Sequence, residues 1–104
     1  MEDRESPENV VIVCANCAPC PDPQFLDRPL ASFVGRHCKL GFPIPQISGQ
    51  ERPTIEHMWV KVTGVQMRGE VEVLVGWLDN DPAYVDLKYQ DLIEFRPVEI
   101  EAVV

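Results

Sequence analysis

The stretch Glu56–Leu78, EHMWVKVTGVQMRGEVEVLVGWL, limits what this chain can fold into more than any other, because an alternation of period two fits β-strands and little else. Met58, Val60 and Val62 fall on one face of its first half, with His57, Trp59, Lys61 and Thr63 on the other. In the second half Val71, Val73, Val75 and Trp77 alternate with Glu72, Leu74, Gly76 and Leu78, so both faces are expected to be partly covered, as in a central strand. Gly64 and Gly69 offer positive φ at the two ends of the connection, and the whole predicts a β-hairpin.

The remaining chain reads as short strands and loops around that hairpin. Residues 1–9 are polar and charged and predict a flexible terminus, leaving 10–104 as a single small β-rich domain in which a Cys- and Pro-rich segment, 10–35, packs on a core of 36–100. Val10–Val13 predicts a buried strand, and the following CANCAPCPDPQF a loop, since Pro19, Pro21 and Pro23 each lack a backbone donor. Between Gln24 and Val34 there is room for one short helix, starting near Arg28 or Pro29 with Asp27 as N-cap.

Gly35 to Ile44 predicts a strand with Cys38, Leu40, Phe42 and Ile44 inward and His37 and Lys39 outward, closed off by Pro43 and Pro45. After a polar loop, the hairpin and a DNDP turn, Ala83 to Leu87 reads as a short strand and Leu92 to Arg96 as a last one, with Ile93 and Phe95 inward. Beyond Pro97 the chain makes a turn or a short closing strand. The expected fold is mainly β, α+β at most: a small curved antiparallel sheet or SH3-like barrel of five to six short strands with one short helix.

Charge narrows the function. From Glu70 onward nine acids face two bases, so this third carries −7 of the net −8 of the 104-residue chain. Direct binding to nucleic-acid phosphates relies on clustered Lys and Arg and is not expected. No apolar run reaches the roughly 20 residues of a membrane span, and the start lacks the basic flank and apolar stretch of a signal peptide, which predicts a cytoplasmic protein. There is no G-x-S-x-G elbow and no phosphate-cradling glycine loop. Asp79 and Asp81 lack the further oxygen ligands at fixed offsets that a hard-cation loop needs.

CKLGF in the first strand of the core, EHMWVKV after a polar loop, GWLDNDP and LKYQDLIEF together resemble a bacterial family catalogued as domain of unknown function 2314, over about residues 36–100. Gln90 stands where members usually carry glycine before the aspartate, and their aromatic ending is replaced by Glu101, Ala102 and Val103. The resemblance implies a small β-rich fold of bacterial or phage origin. It implies no chemistry and does not reach the cysteine segment.

That segment carries the one chemical signature. Cys14, Cys17 and Cys20 repeat as C-x2-C-x2-C, and Cys38 follows after seventeen intervening residues. Four thiolates at such spacing form a candidate structural zinc site, because an x2 loop brings two sulfurs to one ion. The triplet also fits part of an iron–sulfur loop without its usual fourth ligand. A redox pair and plain thiols stay open, since Cys38 shares the apolar face with Leu40 and Phe42, where cysteine behaves as a small hydrophobe.

Two function classes follow. The first is a non-enzymatic, acidic protein-binding module, of the inhibitor or immunity type, that occludes a basic surface of a protein partner, as monomer or dimer, without membrane or nucleic acid. Its candidate binding residues are Trp59, His57 and Lys61, extended by Tyr84 and Asp86 on the next strand, with the acids Glu70, Glu72, Asp79 and Asp81. The alternative is a zinc-stabilised or thiol redox-sensing domain built on Cys14, Cys17, Cys20 and Cys38. Neither histidine sits in a nucleophile, base and orienter pattern, so no catalytic residue is expected.

Overall fold

A computed structural model describes residues 10–12 and 23–104 of the chain. The expected flexible terminus and Cys14, Cys17 and Cys20 lie outside these residues. The described chain forms one six-stranded sheet: β1 (Val10–Ile12), β2 (His37–Pro43), β3 (Ile55–Arg68), β4 (Val71–Leu78), β5 (Leu92–Phe95) and β6 (Ala102–Val103). Their order is β1-β5-β4-β3-β2-β6, antiparallel throughout except for β1 beside β5. With β1 and β6 at opposite edges the sheet stays open, so the chain is mainly β and of the two expected forms it takes the open sheet. One helical turn, α1 (Pro23–Leu26), and two 3-10 turns, Leu30–Phe33 and Pro97–Glu99, complete it.

The hairpin lies at the centre, and its pleat places the side chains as the alternation requires. Met58, Val60 and Val62 are buried, as are Leu74 and Leu78 beside them and Cys38, Leu40 and Phe42 on β2. Ile93 and Phe95 extend this face across β5, and Phe33 of the first 3-10 turn covers it, packed edge-on against Phe25 of α1 with ring centroids 6.4 Å apart. Each such side chain, fully buried, contributes about 1.5–3 kcal/mol. Gly76 sits in the middle of β4 because a Cβ there would strike the Lys61 carbonyl and lie 2.8 Å from Val60 Cγ1.

Three local expectations are corrected. The hairpin turn is the two-residue loop Gly69–Glu70, with Gly69 at φ +65°, while Gly64 belongs to β3 beside an irregularity of register between Val62 and Gly64. A bulge of this kind bends and twists the strand that carries it. A helical turn does begin beside Pro29, as the 3-10 turn Leu30–Phe33, but another, α1, starts at Pro23 inside the expected loop, and Asp27 is not the cap: Pro29, extended at ψ 144°, is the N-cap of the 3-10 turn. A residue ahead of proline is steered away from helical backbone, which separates the two turns at Arg28. Finally, Ala83–Leu87 forms no strand. Its backbone N–H groups at Ala83, Tyr84 and Val85 donate instead to the Glu56 carboxylate.

The turn before β5 holds Gln90 at φ +75°, in the left-handed region that favours glycine. Its N–H donates to the Leu78 carbonyl at 2.7 Å, which ties the turn to the end of β4 and keeps the strained residue in place. Gln90→Gly is therefore expected to stabilise the fold by about 0.5–1 kcal/mol, the relief of left-handed strain exceeding the added chain entropy, as read from the urea midpoint at unchanged slope.

Candidate recognition face

The sheet face opposite the core gathers the polar and aromatic residues of the hairpin. Register places Lys39 of β2 directly opposite Trp59, His37 opposite Lys61, and Lys61 opposite Trp77 of β4. Trp59, Lys61, Lys39 and Trp77 are all half-buried. Trp77 is held by an edge-on contact with Tyr89, ring centroids 5.9 Å apart. The backbone of Trp59 is fixed at both ends, its carbonyl accepting from the Asp79 N–H at 2.9 Å and its N–H donating to the Asn80 side chain.

Two histidine–carboxylate pairs cross this face. His37 Nε2 lies 2.8 Å from Asp79 Oδ2. Because β2 and β4 flank β3 on opposite sides, this contact spans the central strand between Trp59 and Lys61. His57 Nδ1 lies 2.7 Å from Glu101 Oε1, just ahead of β6, and so spans β2, which has Gly41 opposite His57. The sequence offers both histidines and both acids; what it lacks is any sign that residues 42 and 44 positions apart meet. Lys39 and Lys61 between the pairs make no ion pair among the described residues.

The acidic third is spent differently from its expected role. Of its nine acids, Asp79 and Glu101 hold the histidines, and Asp91 accepts the Lys88 N–H at 2.8 Å. Glu94 is buried on the outer face under Arg68, which reaches both of its oxygens from the hairpin arm, 2.7 Å at the shortest. Glu99 is fully buried and takes the Arg96 N–H at 2.7 Å. The four that remain exposed and unpaired among the described residues, Glu70, Glu72, Asp81 and Asp86, divide between the hairpin tip and the loop after β4. The length of β4 separates them, roughly 20 Å at strand rise.

Of the sequence-based candidates, His57, Trp59, Lys61 and Asp79 thus converge, together with His37, Lys39, Trp77 and Glu101. Tyr84 and Asp86 do not join them. Their segment is anchored to Glu56, which shares the Met58 side of β3, and its neighbours Val85 and Leu87 pack on the core. Cys38 is fully buried on β2 opposite Val60 and Val103, and burial pushes its thiol up to about 12. Among the described residues no group of three or more His, Cys, Asp or Glu side chains converges as a metal site.

Two carboxyl groups acquire pH-dependent roles. Burial alone would push Glu56 up, but three N–H donors outweigh it and hold the group below the ordinary glutamate range. Its contribution is present at neutral pH and lost on acidification. Glu56→Ala is expected to cost about 1 kcal/mol at pH 7, discounted because the carboxylate is only half-buried, and progressively less below about pH 4, in urea titrations across pH.

Glu99 behaves oppositely: burial raises it, outweighing the Arg96 N–H and charge, and its second oxygen has no partner among the described residues. Stability from this group is complete below the usual glutamate pKa of about 4.3 and falls as pH rises above it. Glu99→Gln is expected to match wild type at pH 4 and exceed it by roughly 1 kcal/mol at pH 8, in the same titrations.

No helix among the described residues is long and apolar enough to cross a membrane. No family model matches the chain, and neither a curated protein nor a solved structure matches it.

Proposed function

We propose that the chain is a non-enzymatic protein-binding module whose recognition face is the outer side of β2, β3 and β4, anchored by Trp59. The observation that carries this reading is a partly exposed tryptophan, backbone-fixed at the centre of a face crossed by two histidine–carboxylate pairs. Tryptophan in such a setting supplies large contact area with little conformational entropy to lose, the profile of a binding hot spot. The net charge of −8 steers encounter toward a partner with a basic surface. Final contact, however, is made by Trp59, Trp77 and the lysines between the pairs rather than by a continuous acidic surface, since most acids of the last third are engaged internally.

An inhibitor or immunity-type role is compatible with this rigid, one-sided face as a class-level analogy. The alternative remains a zinc-stabilised or thiol redox-sensing domain using Cys14, Cys17, Cys20 and Cys38, of which the first three lie outside the described residues.

The test is affinity capture from extracts of the source cell with wild type and Trp59→Ala, each first shown to be folded by its urea midpoint. A partner held by wild type, released by high salt and bound at least about tenfold more weakly by Trp59→Ala supports the face and its anchor. Equal retention by both proteins would sink it.

A further inference from the structure

The hairpin reaches beyond the strands that flank it. β2 accompanies β3 only as far as Lys61, and Gly35 and Arg36 close the edge at Val62, with bonds of 2.9 Å each. From Gly64 to Arg68, β3 is paired, among the described residues, with β4 alone. In a two-residue hairpin the closing pair, here Arg68 and Val71, exchanges both of its backbone bonds, so bonds to β4 fall on Arg68, Gln66 and Gly64. The amides and carbonyls of Val65 and Met67 consequently point outward.

The other edges are blunted in familiar ways. β1 is three residues long and β6 two, and β2 beyond β6 carries Pro43, which has no donor. On the far side of the arm only Glu72 points outward, and a carboxylate there opposes pairing. The β3 edge has no proline, no lysine and no acid, and Met67 on it is 58% exposed.

We propose that this edge pairs with the same edge of a second copy, joining two sheets across a two-fold axis at Gln66. The occupant is argued from the register. Antiparallel pairing about Gln66 sets Val65 opposite Met67 of the other copy, and Met67 opposite Val65, so all outward-pointing groups of these two residues form four hydrogen bonds. On the side continuous with the core, apolar Val65 meets apolar Met67 and covers its exposed surface. On the outer side Gln66 meets Gln66, and Arg68 meets Gly64, which has no side chain to displace the guanidinium from Glu94. No two like charges stand opposite each other. Five residues per copy is far below a standard interface, so the dimer is weak, with a dissociation constant on the order of 0.1 mM.

Salt separates this pairing from the partner reading above. Two copies of net charge −8 repel, so added salt strengthens the dimer, whereas it weakens capture of a basic partner. The experiment is sedimentation equilibrium of the full chain from about 10 µM to about 1 mM, with wild type and Met67→Pro. Proline at this position removes an outward donor and leaves every bond to β4 in place.

Wild type is expected to rise from 11.8 kDa toward twice that mass, more steeply at high salt, while Met67→Pro stays at the monomer mass. Hydrogen exchange on wild type gives a second reading that needs no variant: the Val65 and Met67 amides slow at least about threefold over that range, while Gln66, already bonded to β4, does not change. A wild type that remains monomeric at the highest concentration overturns the proposal. So does a dimer in which those two amides exchange as fast as in the monomer.

Discussion

Everything in this sheet depends on the register of β3 between its two neighbours. A strand has a side-chain period of two, so a slip of one residue would exchange Met58, Val60 and Val62 with His57, Trp59 and Lys61. The apolar side chains would then be exposed, and His57, Trp59 and the charge of Lys61 would be turned into the core. Several features hold the register together: the Gly69–Glu70 loop sets the pairing with β4, Gly76 lets the two strands approach, and Asp79 and Asn80 grip Trp59 beyond the end of β4. The same constraint that packs the core therefore also defines the proposed recognition face.

The acids show how composition can mislead about surface. A balance of −7 in the last third suggests one strongly negative face, yet in the folded chain those carboxylates act mainly as internal connectors. Glu94 closes against Arg68, Asp79 and Glu101 bind histidines across intervening strands, and Asp91 organises the turn before β5. Glu56, outside that third, replaces a whole partner strand for residues 83–85. A sheet with few residues per strand has many loop amides left over, and carboxylates satisfy them without further secondary structure. What remains negative at the surface is a long-range field rather than a patch.

The outer face combines rigidity with accessible chemistry. Pairs such as His37–Asp79 and His57–Glu101 are individually modest, being partly exposed. Their position matters more than their strength, because each ties strands that are not neighbours and so resists shear of the sheet. Between them Lys39 and Lys61 stay unpaired among the described residues, beside two half-buried tryptophans. The arm beyond this face differs in kind. Its backbone groups, rather than its side chains, are what it offers.

How much of this was legible follows from the range of the interactions. Alternation by itself determined the hairpin, the inward sets on β2, β3 and β5, the outward set His57, Trp59 and Lys61, and the mainly β class, because burial of every second residue is a local property of a strand. The apparent strand at Ala83–Leu87 also alternates, but alternation cannot tell whether a neighbouring strand exists to take its amides, and here Glu56 takes them. Tertiary structure alone decided that the sheet stays open, that most acids turn inward and that His37 meets Asp79. Each of these depends on groups far apart in the chain brought together by pairing, and a period of two carries no information about which strands become neighbours.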